Sequence, residues 1–297
     1  MADFSVQDAA FTGFRVVREH PRALLVWAAA SVIFSLVIQS LLIGMAGPAM
    51  AQLTASFASL TIDPQHVDMG KLMPIYQSLL PAYAVILPLS LALSALVRAA
   101  MNRVVLRPAE DRFGYFRLGG DELRQLGLVV VLFLMFSAAG GVAGLMISML
   151  AVLAGPLALL GGLAALCGLI FLAVRLSLAS ALTFQTAKVN LFGSWALTEG
   201  RFWSILGTYL IAGVMVIVVT LLSGVVISMV AILLGGAAAA HQDMSSLGAY
   251  MTPAQLATLV VNGALGALIW PLMDTPAPTI YQQISGRFGA GAADAFS

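Results

Sequence analysis

Charge is what this chain is short of. Of its 297 residues only 9% are Asp, Glu, Lys or Arg, while 61% are hydrophobic. A soluble globule carries charge on about a quarter of its residues, so lipid rather than water must solvate most of this chain. Cysteine is almost absent. The single Cys167 excludes a disulfide framework and a Cys-rich metal site, and in the middle of an apolar stretch it reads as a packing residue. The 14 Lys and Arg are scattered, without the concentrated basic face that binding a nucleic-acid backbone requires. Also missing are a phosphate-binding loop, a serine-nucleophile motif, an HExxH pair and paired intramembrane carboxylates. The expectation is a non-enzymatic protein with no cofactor, no metal and no nucleic-acid partner.

What the chain does have is five uncharged stretches, Ala23 to Ile62, Leu72 to Val97, Gln125 to Val174, Phe202 to Gln242 and Met244 to Met273. A helix needs about 20 apolar residues to cross roughly 30 Å of hydrocarbon. The stretch from Gln125 to Val174 is long enough only for two passes, with its turn at Gly155-Pro156, where glycine ends a helix and proline starts one. The fold class expected is all-α, a polytopic membrane protein with six transmembrane helices. Ala49-Met50-Ala51 resembles a signal-peptidase site, but the apolar run before it is longer than a signal core, so it reads as a retained first span.

If the spans alternate, thirteen of the 14 cationic residues fall on the side holding residues 1–22, 98–124, 175–201 and 275–297, leaving Lys71 opposite. The positive-inside rule places both termini in the cytoplasm. Trp27, Trp195, Trp203 and Trp270 fall near the same ends and read as interface anchors. The outer loops, roughly 46–74 and 236–252, carry Asp63, His66, Asp68, His241 and Asp243 without ligand spacing, which reads as solvated loop.

Phe11-Thr12-Gly13-Phe14-Arg15 precedes the first span and Phe113-Gly114-Tyr115-Phe116-Arg117 precedes the third, each with a second arginine, Arg22 and Arg124, seven residues on. In a second register Val97-Arg98 matches Val174-Arg175, and Glu122-x-Arg124 matches Glu199-x-Arg201. Three hairpin units result, approximately 5–106, 107–189 and 190–286, with a tail over 287–297 and a cytoplasmic interfacial segment opening each. In residues 5–19, Val6, Ala10, Phe14 and Val17 form a helical stripe with Phe11 beside it, Ser5 and Asp8 start a capping box, and Pro21 interrupts continuity with the first span. All three units start inside, which favours a parallel pseudo-symmetric bundle over an inverted-repeat transporter.

The stretch from Ser194 to Gly207, SWALTEGRFWSILG, resembles the recurring segment of a family of bacterial six-span proteins related to the membrane domain of glycerophosphoryl diester phosphodiesterases. The likeness is dense over that stretch and architectural elsewhere. It implies a helical inner-membrane bundle and no catalytic residue, since the activity of that family belongs to a soluble barrel that has no counterpart here.

Arg22, Arg124 and Arg201, with Trp195 and Trp203, are the lipid-headgroup candidates, set where each hairpin enters the membrane. Arg98, Arg175 and Asp274 come to the inner ends of their spans and form a candidate polar cluster in which Asp274 pairs with one arginine. Pro74, Pro81 and Pro88 recur every seven residues along one face of the second span and are hinge candidates. Gly140 and Gly144, with Gly161-Gly162, suggest close packing of the third and fourth spans, while Gln39 and Asn262 each suggest a bond to a neighbouring helix. Two functions fit: binding of membrane lipids, or of a protein complex or second copy, as an assembly, stabilising or regulatory subunit; or a permease or channel for a lipid or small amphiphile.

Overall fold

The structure, a computed structural model, describes residues 4–62, 69–153, 155–235 and 243–294. Among these the regular elements are eleven α-helices and two 3-10 turns, with no strand. Six segments are long and apolar enough to cross a membrane: Pro21–Ser56, Leu72–Leu106, Phe113–Leu153, Gly155–Thr186, Phe202–Leu234 and Pro253–Gly286. The protein is an all-α, polytopic membrane protein.

Local chemistry explains most helix ends. Helix α1 (Val6–Glu19) starts at Ser5, whose hydroxyl accepts from the Asp8 amide at 3.2 Å. It ends at His20, because the following proline disfavours helix there, and Pro21 opens α2 (Pro21–Ile62) at the position where its missing N–H costs nothing. The reciprocal arm of the expected capping box is made by a distant residue instead. The Ser5 amide donates to Gln283 Oε1 at 2.9 Å, and Gln283 Nε2 donates to Asp8 at 2.7 Å. Within α2 the backbone breaks at Ala46 (φ −140°, ψ 18°), just ahead of Pro48, whose ring removes a hydrogen bond and crowds the preceding turn. Helix α3 (Met69–Leu106) carries Pro74, Pro81 and Pro88 inside one unbroken element.

Helix α4 (Gly120–Leu153) opens with Asp121 and Glu122, which favour a helix N-terminus. The next helix, α5 (Gly155–Leu176), begins at Gly155, at the expected Gly155-Pro156 turn. Short helices α6 (Ala179–Thr186) and α7 (Leu191–Leu197) follow, then α8 (Phe202–Gly235), the single turn α9 (Leu247–Tyr250), α10 (Pro253–Asp274) and α11 (Pro276–Asp294). Gly200, at φ +73°, makes the bend between α7 and α8 in a region that side chains with a Cβ rarely adopt.

By contact the chain forms two units. Unit 1 comprises residues 1–20, 91–216 and 270–297, and unit 2 residues 21–90 and 217–269. Unit 1 is centred on buried Phe4, Ala9, Val174, Leu178, Ile205 and Ile280. The packed face of α1 is made of small residues, Ala9, Thr12, Gly13 and Val16. A Cβ on Gly13 would stand 2.7 Å from Leu272 Cα, so only glycine lets the two backbones meet. Phe11 and Phe14, expected in the apolar stripe, are turned outward. In unit 2, Ala46, Ala49, Leu79, Ala82 and Ile86 pack together, and Gly263 lies directly on the Val32 backbone.

Three packing expectations are corrected. Cys167 is exposed rather than packed, because among the described residues no side chain covers it on α5. The third and fourth spans do pack together, α4 against α5, but not through the expected glycines: Gly140, Gly144 and Gly162 have nothing within 4 Å of where a Cβ would be, and of the four only Gly161 is in close contact, against the Leu150 side chain. Trp27 is fully buried, so its indole packs inside the protein instead of anchoring at the interface, whereas Trp195 and Trp203 are exposed and Trp270 is half-buried.

Candidate functional site

The loop between α3 and α4 is built around a buried arginine. Arg103, 1% exposed, donates from Nη2 to Glu122 at 2.7 Å and from Nη1 to the Tyr115 carbonyl at 2.6 Å. That carbonyl is presented by three consecutive residues at positive φ, Phe113 (49°), Gly114 (63°) and Tyr115 (66°). The Tyr115 hydroxyl donates to the Pro108 carbonyl and lies 3.4 Å from His20 Nδ1. Around this core Arg107 and Arg124 pair with Asp121 at 3.3 and 2.9 Å, and Arg117 with Glu110 at 2.9 Å. The Arg107 guanidinium also covers the Phe184 ring, 4.5 Å from its centroid. Four of the five arginines over 103–124 are therefore paired with local carboxylates. The alternation of basic and acidic residues over 103–124 is the sequence signal for these pairs.

Behind that loop, Asn102 donates to Ser180 at 2.8 Å, the Ser180 hydroxyl donates to Gln125 at 3.0 Å, and Gln125 Nε2 returns a bond to the Ser180 carbonyl at 2.8 Å. All three residues are buried, and the closed network ties α3, α4 and α6 together.

Ser180 also borders a cavity of about 910 Å³ that lies wholly in unit 1. Leu91, Ser94 and Arg98 line it from one face of α3, and Val129, Leu132, Phe133, Phe136 and Ser137 from one face of α4, at the spacing of a helical stripe. At 1.5 Å of rise per residue, each stripe runs about 10 to 12 Å along its helix. The deeper wall is mostly apolar, with Leu91, Phe133, Phe136 and Ile170. The end nearer the Arg-rich loops holds Arg98, Asp274, Ser177, Ser180 and Tyr209. Ser94 and Ser137 add hydroxyls along the α3 and α4 stripes, so what sets the two ends apart is charge, with Arg98 and Asp274 together at one of them.

Of the expected polar cluster, the structure brings Arg98 and Asp274 together, with Arg98 Nε 3.9 Å from Asp274 Oδ1. Arg175 is not among the lining residues. Its guanidinium lies over the rings of Phe171 (5.2 Å) and Trp195 (5.4 Å), while its backbone carbonyl accepts from the Ser194 hydroxyl. The headgroup candidates stay separate in their contacts. Arg22 is exposed at the start of α2, Arg124 is held by Asp121, Arg201 donates to the Leu197 carbonyl at 3.1 Å, and Trp203 packs edge-on against Phe202. Gln39 and Asn262 both line a smaller cavity of about 310 Å³ in unit 2, together with Gln255 and Thr258.

Of the outer-loop residues, Asp63, His66, Asp68 and His241 lie outside the described residues. Asp243 accepts from the Ser245 amide at 2.9 Å, and its hydrogen bonds with Ser245 hold its carboxyl below the ordinary aspartate range. Comparison of the chain with protein-family models, curated sequences and solved structures finds no match.

Proposed function

We propose that this protein is a non-enzymatic membrane protein that binds a lipid or other amphiphile in the cavity of unit 1, as an assembly, stabilising or regulatory subunit. The observation that carries this reading is the mostly apolar lining of the 910 Å³ cavity with a pair of opposite charges, Arg98 and Asp274, at one end, in a space whose size is in the range of small-molecule sites. An acyl chain matches the Leu and Phe wall, and a headgroup matches the hydroxyls and charges at the other end. The reading includes a bacterial cytoplasmic-membrane location with both termini inside. It also includes the three-hairpin repeat, for which the support is that α1, the 3-10 turns and α7 each precede a span.

The test is to purify the protein in mild detergent and identify retained lipids by native mass spectrometry. One retained amphiphile per chain is expected, and Ala173→Phe, which sets a ring into the cavity from its wall, should weaken its retention while the variant still folds. Equal retention in the two proteins would overturn the reading.

The alternative is a permease or channel for a lipid or small amphiphile. It draws on the polar residues that border the cavity's inner end and on the three prolines of α3. Flux across proteoliposomes that Ala173→Phe abolishes would select it over a static binding role.

A further inference from the structure

The charges at the polar end of the unit 1 cavity specify the headgroup that the cavity takes, an inference that rests on the amphiphile-binding reading. Among the residues lining the cavity, Arg98 and Asp274 are the only charged ones. Their separation of 3.9 Å is too long for a hydrogen bond. Among the described residues neither the guanidinium nor the carboxylate has a hydrogen-bond partner, yet their side chains are 35% and 26% exposed, at a cavity they both line. Arginine offers five N–H donors and a carboxylate about four lone-pair sites, so both groups keep unused capacity at one place. Each is offset only by the other across 3.9 Å, so a headgroup that bonds to both supplies hydrogen bonds that the pair itself lacks.

We infer that the cavity selects a zwitterionic amphiphile, with an anionic headgroup atom set on Arg98 and a cationic one on Asp274. An anionic headgroup would satisfy Arg98 but face the Asp274 carboxylate close by, and a purely cationic one would meet the reverse conflict. A headgroup that carries both charges on a short bridge meets both residues at once. The hydroxyls of Ser177, Ser180 and Tyr209 line the same end and can bond to phosphate oxygens or ammonium hydrogens. The Leu91, Phe133 and Phe136 wall receives the chain.

The experiment is a competition in which detergent-solubilised protein meets equal amounts of phosphatidylethanolamine and phosphatidylglycerol with identical acyl chains. Native mass spectrometry counts the bound species. The wild type should retain phosphatidylethanolamine with a preference of about tenfold, equivalent to about 1.4 kcal/mol. Asp274→Asn should shift that preference toward phosphatidylglycerol, and Arg98→Gln should weaken retention of both. The wild-type competition needs no variant to fold. One bound lipid without preference, or with a preference for phosphatidylglycerol, overturns the headgroup assignment and leaves the cavity reading standing. No bound lipid, or retention unchanged by Ala173→Phe, overturns the cavity reading itself.

Discussion

Arg103 and Glu122 meet across 2.7 Å in the interior of unit 1, with the arginine 1% and the glutamate 7% exposed. Glu122→Ala removes the carboxylate that Arg103 bonds to and leaves Glu110 at 3.5 Å and Asp121 at 3.7 Å as weaker partners, so the cost falls below the about 3 to 5 kcal/mol of a fully stranded charge. Glu122→Ala should still lower the melting temperature in detergent. The double variant Arg103→Met with Glu122→Leu should lose less than Glu122→Ala alone. An unchanged melting temperature in the single variant would mean that the pair does not hold this loop.

Gly13 tests backbone contact in the same unit. In Gly13→Ala the new methyl would press on Leu272 Cα at 2.7 Å, and overpacking of this kind costs about 1 to 3 kcal/mol. Gly213→Ala, at a position with nothing within 4 Å, should be neutral. Thermal unfolding of the two variants side by side separates tight packing from a general effect of losing glycine.

Gly200 sits at φ +73°. A Cβ in that conformation costs about 1 to 2 kcal/mol, so Gly200→Ala should destabilise the protein. Gly200→Asn should recover part of the loss, because asparagine tolerates left-handed backbone. Equal melting temperatures for both variants would show that the turn relaxes.

Arg175 lies over Phe171 and Trp195 rather than in the cavity. Arg175→Lys keeps the charge but loses the planar stack, and the interaction at stake is about 0.5 to 2 kcal/mol. A double-mutant cycle with Trp195→Ala should report a coupling energy in that range. Additive effects would rule the stacking out as a stabilising contact.

Orientation can be read directly. Reporters active only in the cytoplasm, fused in turn to each terminus, should both be active, as the positive-inside asymmetry predicts. Activity at one terminus alone would break the six-span alternation.

The spans were legible because hydrocarbon imposes a length and an apolar composition that a linear sequence shows openly. The break before Pro21 and the change of helix beside Gly155-Pro156 were legible for the same kind of reason, a backbone rule that acts within a few residues. Partner choice was not. That Gln283 would complete the cap of α1, or that Tyr115 would turn its carbonyl onto Arg103, depends on contacts far apart in sequence or on a run of left-handed backbone that composition does not announce. The prolines show the limit most plainly: three in α3 leave it one unbroken helix, and a single one in α2 accompanies a break at Ala46. At the candidate site, the sequence points to Asp274 pairing with either Arg98 or Arg175, without choosing Arg98 and without the stripes of α3 and α4 that enclose a space beside it. A hollow has no residues of its own.

The exposed position of Cys167 near the middle of α5 gives the protein a built-in reporter. Because it is the one thiol in the sequence, a spin label or fluorophore attached there marks a single depth in the bilayer without any other residue being changed. In intact membranes an oil-soluble maleimide should reach it and a charged one should not, and a probe so placed would register any rearrangement of α5 when an amphiphile enters.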